Sequence, residues 1–311
     1  IIRHNMISKG TAVVADVTLD TDEIPWMNYK KEQIRGPAYD TSRTLHKLGV
    51  SLTAYVFISP WDKSLLSPLV SEGIDLKMIP RAKTKRFHNN YPRKEDLSYR
   101  EQEVEEYIPE PILPNVLPDV EGYKYVYIGT VTPDFLPETI KYLKERNGLI
   151  FLDPQGLGRE IIGKKVHLRD LGMREACKYA NIVILDPYEA NVLTGDQDLL
   201  EAVETISTFG PSEVLIAGVH EFVAYRRWKG GSTTFQKFIY GIKGDPTGLG
   251  CRIAGAYLSR RPDDEVIKDE KDAKEKLFPA YEFAIEKGIE LGIEQEVKVP
   301  KVIEREFKEY L

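Results

Sequence analysis

The stretch GDPTGLGCRIAGAYLSRR, Gly244 to Arg261, is where this 311-residue chain concentrates groups able to hold an anion. Glycines hinge a turn at Thr247, Gly248, Leu249 and Gly250, whose backbone N–H groups have no preceding helical turn to bond to. Ile253, Ala254, Tyr257 and Leu258 then recur at helical spacing, so the turn feeds a buried helix and its positive end converges on those N–H groups. A phosphate suits such a point. A plain turn before a core helix has the same local pattern, and this segment alone leaves both readings open.

DPTGLGCRIAGAYL resembles the second signature of the ribokinase-like (PfkB-type) carbohydrate and nucleoside kinases, whose usual form is DTTGAGDAF followed by small residues and a helix. The resemblance implies that Gly248, Leu249 and Gly250 form the anion hole for the transferred phosphoryl group. It also implies that position 251 carries the catalytic base, an Asp in the family and Cys251 here. A hydroxyl nucleophile needs a positioned base as phosphorus is attacked. A thiolate at a helix start is stabilised there, which would leave some activity, although its charge repels incoming phosphates. The opposing reading is a small buried cysteine in a pseudokinase that binds a small molecule without turnover. Thr247 falls at a nucleotide-binding position, and Asp245 with Thr247 at positions that hold a monovalent cation such as K⁺.

Other segments resemble the family in register. Thr18 and Asp20 in ADVTLD match the first-strand position that bonds substrate hydroxyls, and a carboxylate accepts two such protons at once. IRGPAYDTSRTLHKLGV resembles the first signature, GGPAANVAxALARLG: Gly36 matches its second glycine, Arg35 replaces the first, and Asp40 replaces a substrate-binding Asn. FLDPQGLGR resembles a DxQGxxR segment found in a subset that includes myo-inositol kinases, which points Asp153 and Arg159 at the substrate cleft. Pro154 and Gly156 are equally consistent with a simple turn. TKRFHNNY resembles a lid strand that presents polar side chains to substrate. In NIVILDPYEANVLTG, Asp186 and Glu189 match the family's NxxE pair, which implies action on nucleotide phosphates and Mg²⁺ through water; a first-turn acid stabilising its own helix is the other reading of Glu189. The nucleotide end keeps Gly218 of the family's TxGxxG and loses the Thr and the second Gly.

The elements needed to position these residues alternate along the chain. TAVVADVTLD, Thr11 to Asp20, is a β-branched strand. Ala38, Thr41, Leu45 and Leu48 keep helical spacing up to a stop at Gly49, and LTAYVFIS follows as a strand. Further strands begin near Tyr123, Gly148, Ala180 and Glu213, separated by helical stretches, which is the βαβ signal of a doubly wound sheet. Two polar excursions, about 22–34 and 76–108, interrupt the alternation, and the resemblance implies that they build a small β lid used to exclude water and to form a homodimer. The fold expected is thus α/β, ribokinase-like, with a mostly parallel sheet flanked by helices and a lid, in one domain over 1–311.

Composition narrows the function classes. The chain is 42% hydrophobic, enough for one large core, and its net charge of −6 gives no basic field for nucleic acid. Two cysteines, Cys177 and Cys251, are too few for a disulfide framework or a zinc site. No apolar run is long enough to span a bilayer, and IIRHNMISKG has neither the apolar core nor the cleavage pattern of a leader, so a cytoplasmic protein is expected. A dinucleotide-dependent dehydrogenase would need GxGxxG after an early strand, and no such run occurs. The expected activity is phosphoryl transfer from ATP or another nucleotide, with Mg²⁺, to a hydroxyl of a sugar, polyol or nucleoside.

Overall fold

A computed structural model describes residues 10–105, 107–240 and 245–292. The leader expectation, on the N-terminal residues, falls almost wholly outside the described residues, as does Gly244 of the glycine turn. Strands run β1 Thr11–Asp16, β2 Thr18–Ile24, β3 Tyr29–Arg35, β4 Leu52–Ile58, β5 Asp75–Pro80, β6 Lys85–Asn90 and β7 Glu101–Val104. They continue with β8 Tyr125–Gly129, β9 Ile150–Asp153, β10 Arg159–Ile162, β11 Lys165–Leu168, β12 Ile182–Leu185, β13 Glu213–Ala217, β14 Glu221–Trp228 and β15 Gly231–Phe238.

A nine-stranded sheet has the order β15-β14-β13-β12-β9-β8-β1-β4-β5. Its strands from β13 to β5 pair in parallel, and β14 and β15 close the other edge as an antiparallel hairpin. Every residue of β1, TAVVAD, is buried, as expected for a strand covered on both faces. Val13 and Ala15 point to one core with Ala38 and Leu45 of the Pro37–Lys47 helix, Ile253 and Tyr257 of the Leu249–Arg260 helix, and Tyr281 of the Phe278–Glu290 helix. Ala12 and Val14 point to the opposite core with Ile140, Leu143, Leu193 and Ile206, from helices on the other face. The large sheet is therefore mostly parallel and flanked by helices on both sides. Its order changes direction at β1, which leaves a crevice at the carboxyl ends of the strands.

A second sheet of six strands, β10-β11-β7-β6-β2-β3, stands at that carboxyl edge. Three expectations are corrected by it. The run Thr11 to Asp20 is two strands, not one: it breaks at Val17, where Lys85 Nζ of β6 binds Asp16 Oδ1 at 2.8 Å, and β2 leaves to pair with β3 and β6. The segment that opens at Leu76 belongs at first to the large sheet, because β5 pairs with β4 at its edge. The second sheet also draws on β10 and β11, residues 159–168, outside both polar excursions.

Candidate active site

The two sheets and the start of the Leu249–Arg260 helix enclose one cleft. Thr18 and Asp20 enter it from β2, Gly36 and Asp40 from the start of the Pro37–Lys47 helix, Asp153 from the end of β9 and Arg159 from the start of β10. Asp186, Glu189 and Gly218 line it beyond the carboxyl ends of β12 and β13, and Thr247, Gly248, Leu249, Gly250 and Cys251 close it. Asp245 stands behind this wall.

At the glycine turn, Gly248 caps the helix in the left-handed region at φ +77°, and Leu249 is its first residue, two positions before Cys251. A Cβ on Gly248 would stand 2.7 Å from Asp40 Oδ2, so the turn and Asp40 are in direct contact. Not all of the four N–H groups expected to be free are so. Thr247 N–H bonds Asp245 Oδ1 at 2.9 Å, and Leu249 N–H bonds the Pro246 carbonyl at 3.1 Å. The N–H groups of Gly248, Gly250 and Cys251 have no acceptor among the described residues, and those of Gly250 and Cys251 lie at the helix start. Cys251 also departs from expectation. Burial, then the carboxylates of Asp153 and Asp40, push its thiol well above its ordinary value, so the helix start does not make it a thiolate.

Where β2 and the Pro37–Lys47 helix meet the cleft, buried carboxylates gather. Asp20 Oδ2 accepts from Asn89 Nδ2 at 3.1 Å, while Asp20 Oδ1 and Asp40 Oδ2 are buried without a partner among the described residues. Burial pushes Asp20 up to about 6. Asp22, one pleat further along β2, is fully buried and accepts from Asn89, Thr247 and Gln33 at 2.7, 3.1 and 2.8 Å. Burial, then Asp245 and Asp20, push it up to about 7. Asp22 was not expected as a site residue, though period two in TLDTDEI places Thr18, Asp20 and Asp22 on one face. The same alternation in KRFHNN points Lys85, Phe87 and Asn89 inward.

Arg35 neutralises this cluster. Its Nη2 binds Asp245 Oδ2 at 2.5 Å, and it lies 3.5 Å from Asp22 and 3.7 Å from Asp40. Asp245 also accepts from Gln33 Nε2 at 2.6 Å. Against its burial, Arg35 holds the Asp245 carboxyl below its usual range. The surroundings of Asp245 do not fit a monovalent cation: a guanidinium already occupies the carboxylate that was to bind one.

Beyond the end of β12, Asp186 and Glu189 form a capping box for the Pro187–Thr194 helix, Asp186 Oδ1 accepting from Glu189 N at 2.8 Å and Glu189 Oε2 from Asp186 N at 2.9 Å. Burial, then Asp186 and Asp153, push Glu189 up to about 8. Its Oε1 accepts no hydrogen bond among the described residues, and a divalent cation reached through water would offset the negative charge that Asp186 and Asp153 place around it. Among the described residues no group of three His, Cys, Asp or Glu side chains is placed to hold a metal directly. Arg100 lines the same region, its positive charge favoured by Tyr91, Asp186 and Glu189 against burial. Burial and then Arg100 lower Arg159 to about 10, which leaves it charged near neutral pH. Arg100 comes from a stretch without periodicity, and nothing in the sequence singled it out. No helix among the described residues is long and apolar enough to cross a membrane.

No protein-family model matches the chain, and no curated protein matches it. Solved structures do. A sulfate complex of a pyrophosphate-dependent kinase in the ribokinase family superposes with TM-score 0.73 at 21% identity, over 88% of this chain and 92% of that one. A pyrophosphate-dependent kinase of that family complexed with a pyrophosphate analog and myo-inositol gives 0.73 at 20%, over 97% and 100%. Ribokinase from Giardia lamblia gives 0.69 at 12%, over 98% and 100%. The structural neighbours are kinases of the ribokinase family, and the chain has the ribokinase fold.

Proposed function

We propose that this protein transfers a phosphoryl group from a polyphosphate donor to a hydroxyl of a small sugar, polyol or nucleoside. One observation carries the reading: one cleft joins N–H groups at a helix start, Gly250 and Cys251, to buried carboxylate oxygens, Asp20 Oδ1 and Asp40 Oδ2, all without partners among the described residues. The N–H groups suit the oxygens of a transferring phosphoryl group. The carboxylates suit acceptor hydroxyls, which donate to them and so satisfy groups that are costly to leave unpaired. Arg100 and Arg159 supply positive charge for the rest of the donor. Mg²⁺, when bound through water at Glu189, would neutralise charge on the donor phosphates. The second sheet acts as a lid that excludes water from the acceptor. A cleft that has lost turnover draws no support from neighbours that bear kinase names.

For the donor, inorganic pyrophosphate is a second reading beside ATP. Only Gly218, Val219 and His220 separate β13 from β14, with Gly218 N–H bonded to the Glu221 carbonyl at 2.9 Å, so the loop at the expected nucleotide end is a tight turn. Two of the neighbours are described as pyrophosphate-dependent.

The test is a matrix of donors (ATP, GTP, pyrophosphate) against acceptors (myo-inositol, hexoses, pentoses, nucleosides) with Mg²⁺, followed by ³¹P NMR for a phosphate ester. A new ester from one donor–acceptor pair is expected. Absence of any ester across the matrix would remove the reading.

A further inference from the structure

Phosphoryl transfer to a hydroxyl needs a group that removes the hydroxyl proton, and Cys251 is unsuited to it, since its thiol keeps its proton. A carboxylate reaches the same point from another strand. Asp153, the last residue of β9, is 5% exposed, lines the cleft, and places Oδ2 3.7 Å from Cys251 Sγ. The sulfur is the donor in that contact.

The remaining bonds of Asp153 orient it. Oδ2 accepts from Tyr127 OH at 3.1 Å and from Gln155 Nε2 at 3.0 Å, whereas Oδ1 accepts, among the described residues, Gln155 N–H alone, at 3.3 Å. A carboxylate oxygen has two lone pairs, so Oδ1 retains one for a ligand while Oδ2 is held. The charged and titratable groups facing Asp153 are Tyr127 from β8, Cys251 from the Leu249–Arg260 helix, Arg159 from β10 and Glu189 from the Pro187–Thr194 helix. Asp40, the other carboxylate near the turn, is raised by burial against two guanidiniums, Arg35 at 3.7 Å and Arg252 at 3.8 Å, and those two cations hold it in an ion-pair cluster rather than beside Cys251.

We propose that Asp153 is the general base of this cleft, reaching from the end of β9 to the position beside Cys251. The proposal rests on the phosphoryl-transfer reading. As the acceptor oxygen forms its bond to the terminal phosphorus of a nucleoside triphosphate or pyrophosphate, its O–H bond breaks and the proton passes to the Asp153 carboxylate. The bridging P–O bond breaks, and its electron pair leaves with the nucleoside diphosphate or inorganic phosphate. Asp153 then returns the proton to water. Burial pushes the Asp153 carboxyl up to about 6, against Gln155 N–H and Arg159, so it is mostly ionised at neutral pH and basic enough to act.

Three measurements test this with the donor–acceptor pair found for the unaltered chain. Asp153→Asn should lower kcat on the order of 10²–10⁴-fold with acceptor KM within a few-fold, the usual share of a general base. The double variant Asp153→Asn with Cys251→Asp should recover at least roughly tenfold of that loss, because a carboxylate returns to the same point from the helix side. The unaltered chain should lose kcat/KM as pH falls through about 6, with one proton taken up. A kcat for Asp153→Asn within about threefold of the parent, or a flat profile from about pH 5 to 8, overturns the proposal. Where Asp153→Asn fails to fold or the double variant fails to recover, the acid limb of the unaltered chain decides. If the unaltered chain forms no ester with any pair, the phosphoryl-transfer reading falls and the base with it. Transfer that survives Asp153→Asn removes only the base.

Discussion

Four buried carboxylates gather around the Arg35 guanidinium where β2 and the Pro37–Lys47 helix meet, with Arg252 beside Asp40. Asp20, Asp22, Asp40 and Asp245 are all buried, and Arg35 is the cation within 3.7 Å of three of them. Burial in a low dielectric disfavours this much negative charge, and the neighbouring Asp245 and Asp20 add to the effect, so Asp22 rises to about 7 while Arg35 holds Asp245 below its usual range. A carboxyl with a folded pKa above its unfolded value contributes stability that is present below the unfolded pKa and lost as pH rises through the folded one. The window here runs from about pH 4 to 7. Asp22→Asn removes that titration while also disturbing donors from Gln33, Asn89 and Thr247. The variant should therefore be less stable than the parent at pH 5, with the gap narrowing or reversing at pH 8. Melting temperatures of both proteins at the two pH values check this, and a gap that widens with pH would count against the account of the cluster.

Elements differ in how plainly their sequences announce them. The Pro37–Lys47 helix was legible because Pro37 stands at its first position, its apolar residues recur at helical spacing, and Gly49 follows it at φ +78°. DPYE before the Pro187–Thr194 helix was legible as a first-turn acid, and it closes as a capping box. The break at Val17 was not, because β-branched and polar residues continue without a turn signal and the change of sheet depends on distant partners in β3 and β6. Asp22 was hidden inside what reads as a polar excursion; only the pleat of β2 connects it to Asp20. Asp245 was read from its place in a motif, and Arg35, some two hundred residues away, changed what that place can hold. Gly36 shows why an element boundary matters to the site. It sits at φ +95°, and a Cβ there would stand 2.7 Å from the Asp16 carbonyl oxygen. Gly36→Ala should cost roughly 1–3 kcal/mol through left-handed strain and that clash. Urea unfolding measures it, and a cost below about 0.5 kcal/mol would mean the helix start is not fixed by this glycine.

At the scale of the whole molecule, the second sheet is fastened to the large one through the turn that precedes the Leu249–Arg260 helix. Gln33 and Arg35 of β3 bind Asp245, Thr247 donates to Asp22 of β2 at 3.1 Å, and the hydroxyls of Tyr91 and Thr247 share a bond of 2.7 Å. The second sheet and this turn are thus tied together by side-chain bonds. Thr247 is the informative member, since its hydroxyl donates to Asp22 and accepts from Tyr91 at once. Thr247→Val keeps the shape and leaves both partners short of a bond, a deficit worth about 1–3 kcal/mol. That loss belongs to the contact between sheets, not to the core of the large sheet, whose central strands β1, β8 and β9 are buried on both faces. Hydrogen–deuterium exchange should therefore quicken in β2, β3 and β6 of the variant while β1, β8 and β9 keep the protection of the parent. Equal acceleration in both sheets would place the effect in global stability, and no change in either would mean that Thr247 does not hold the second sheet down.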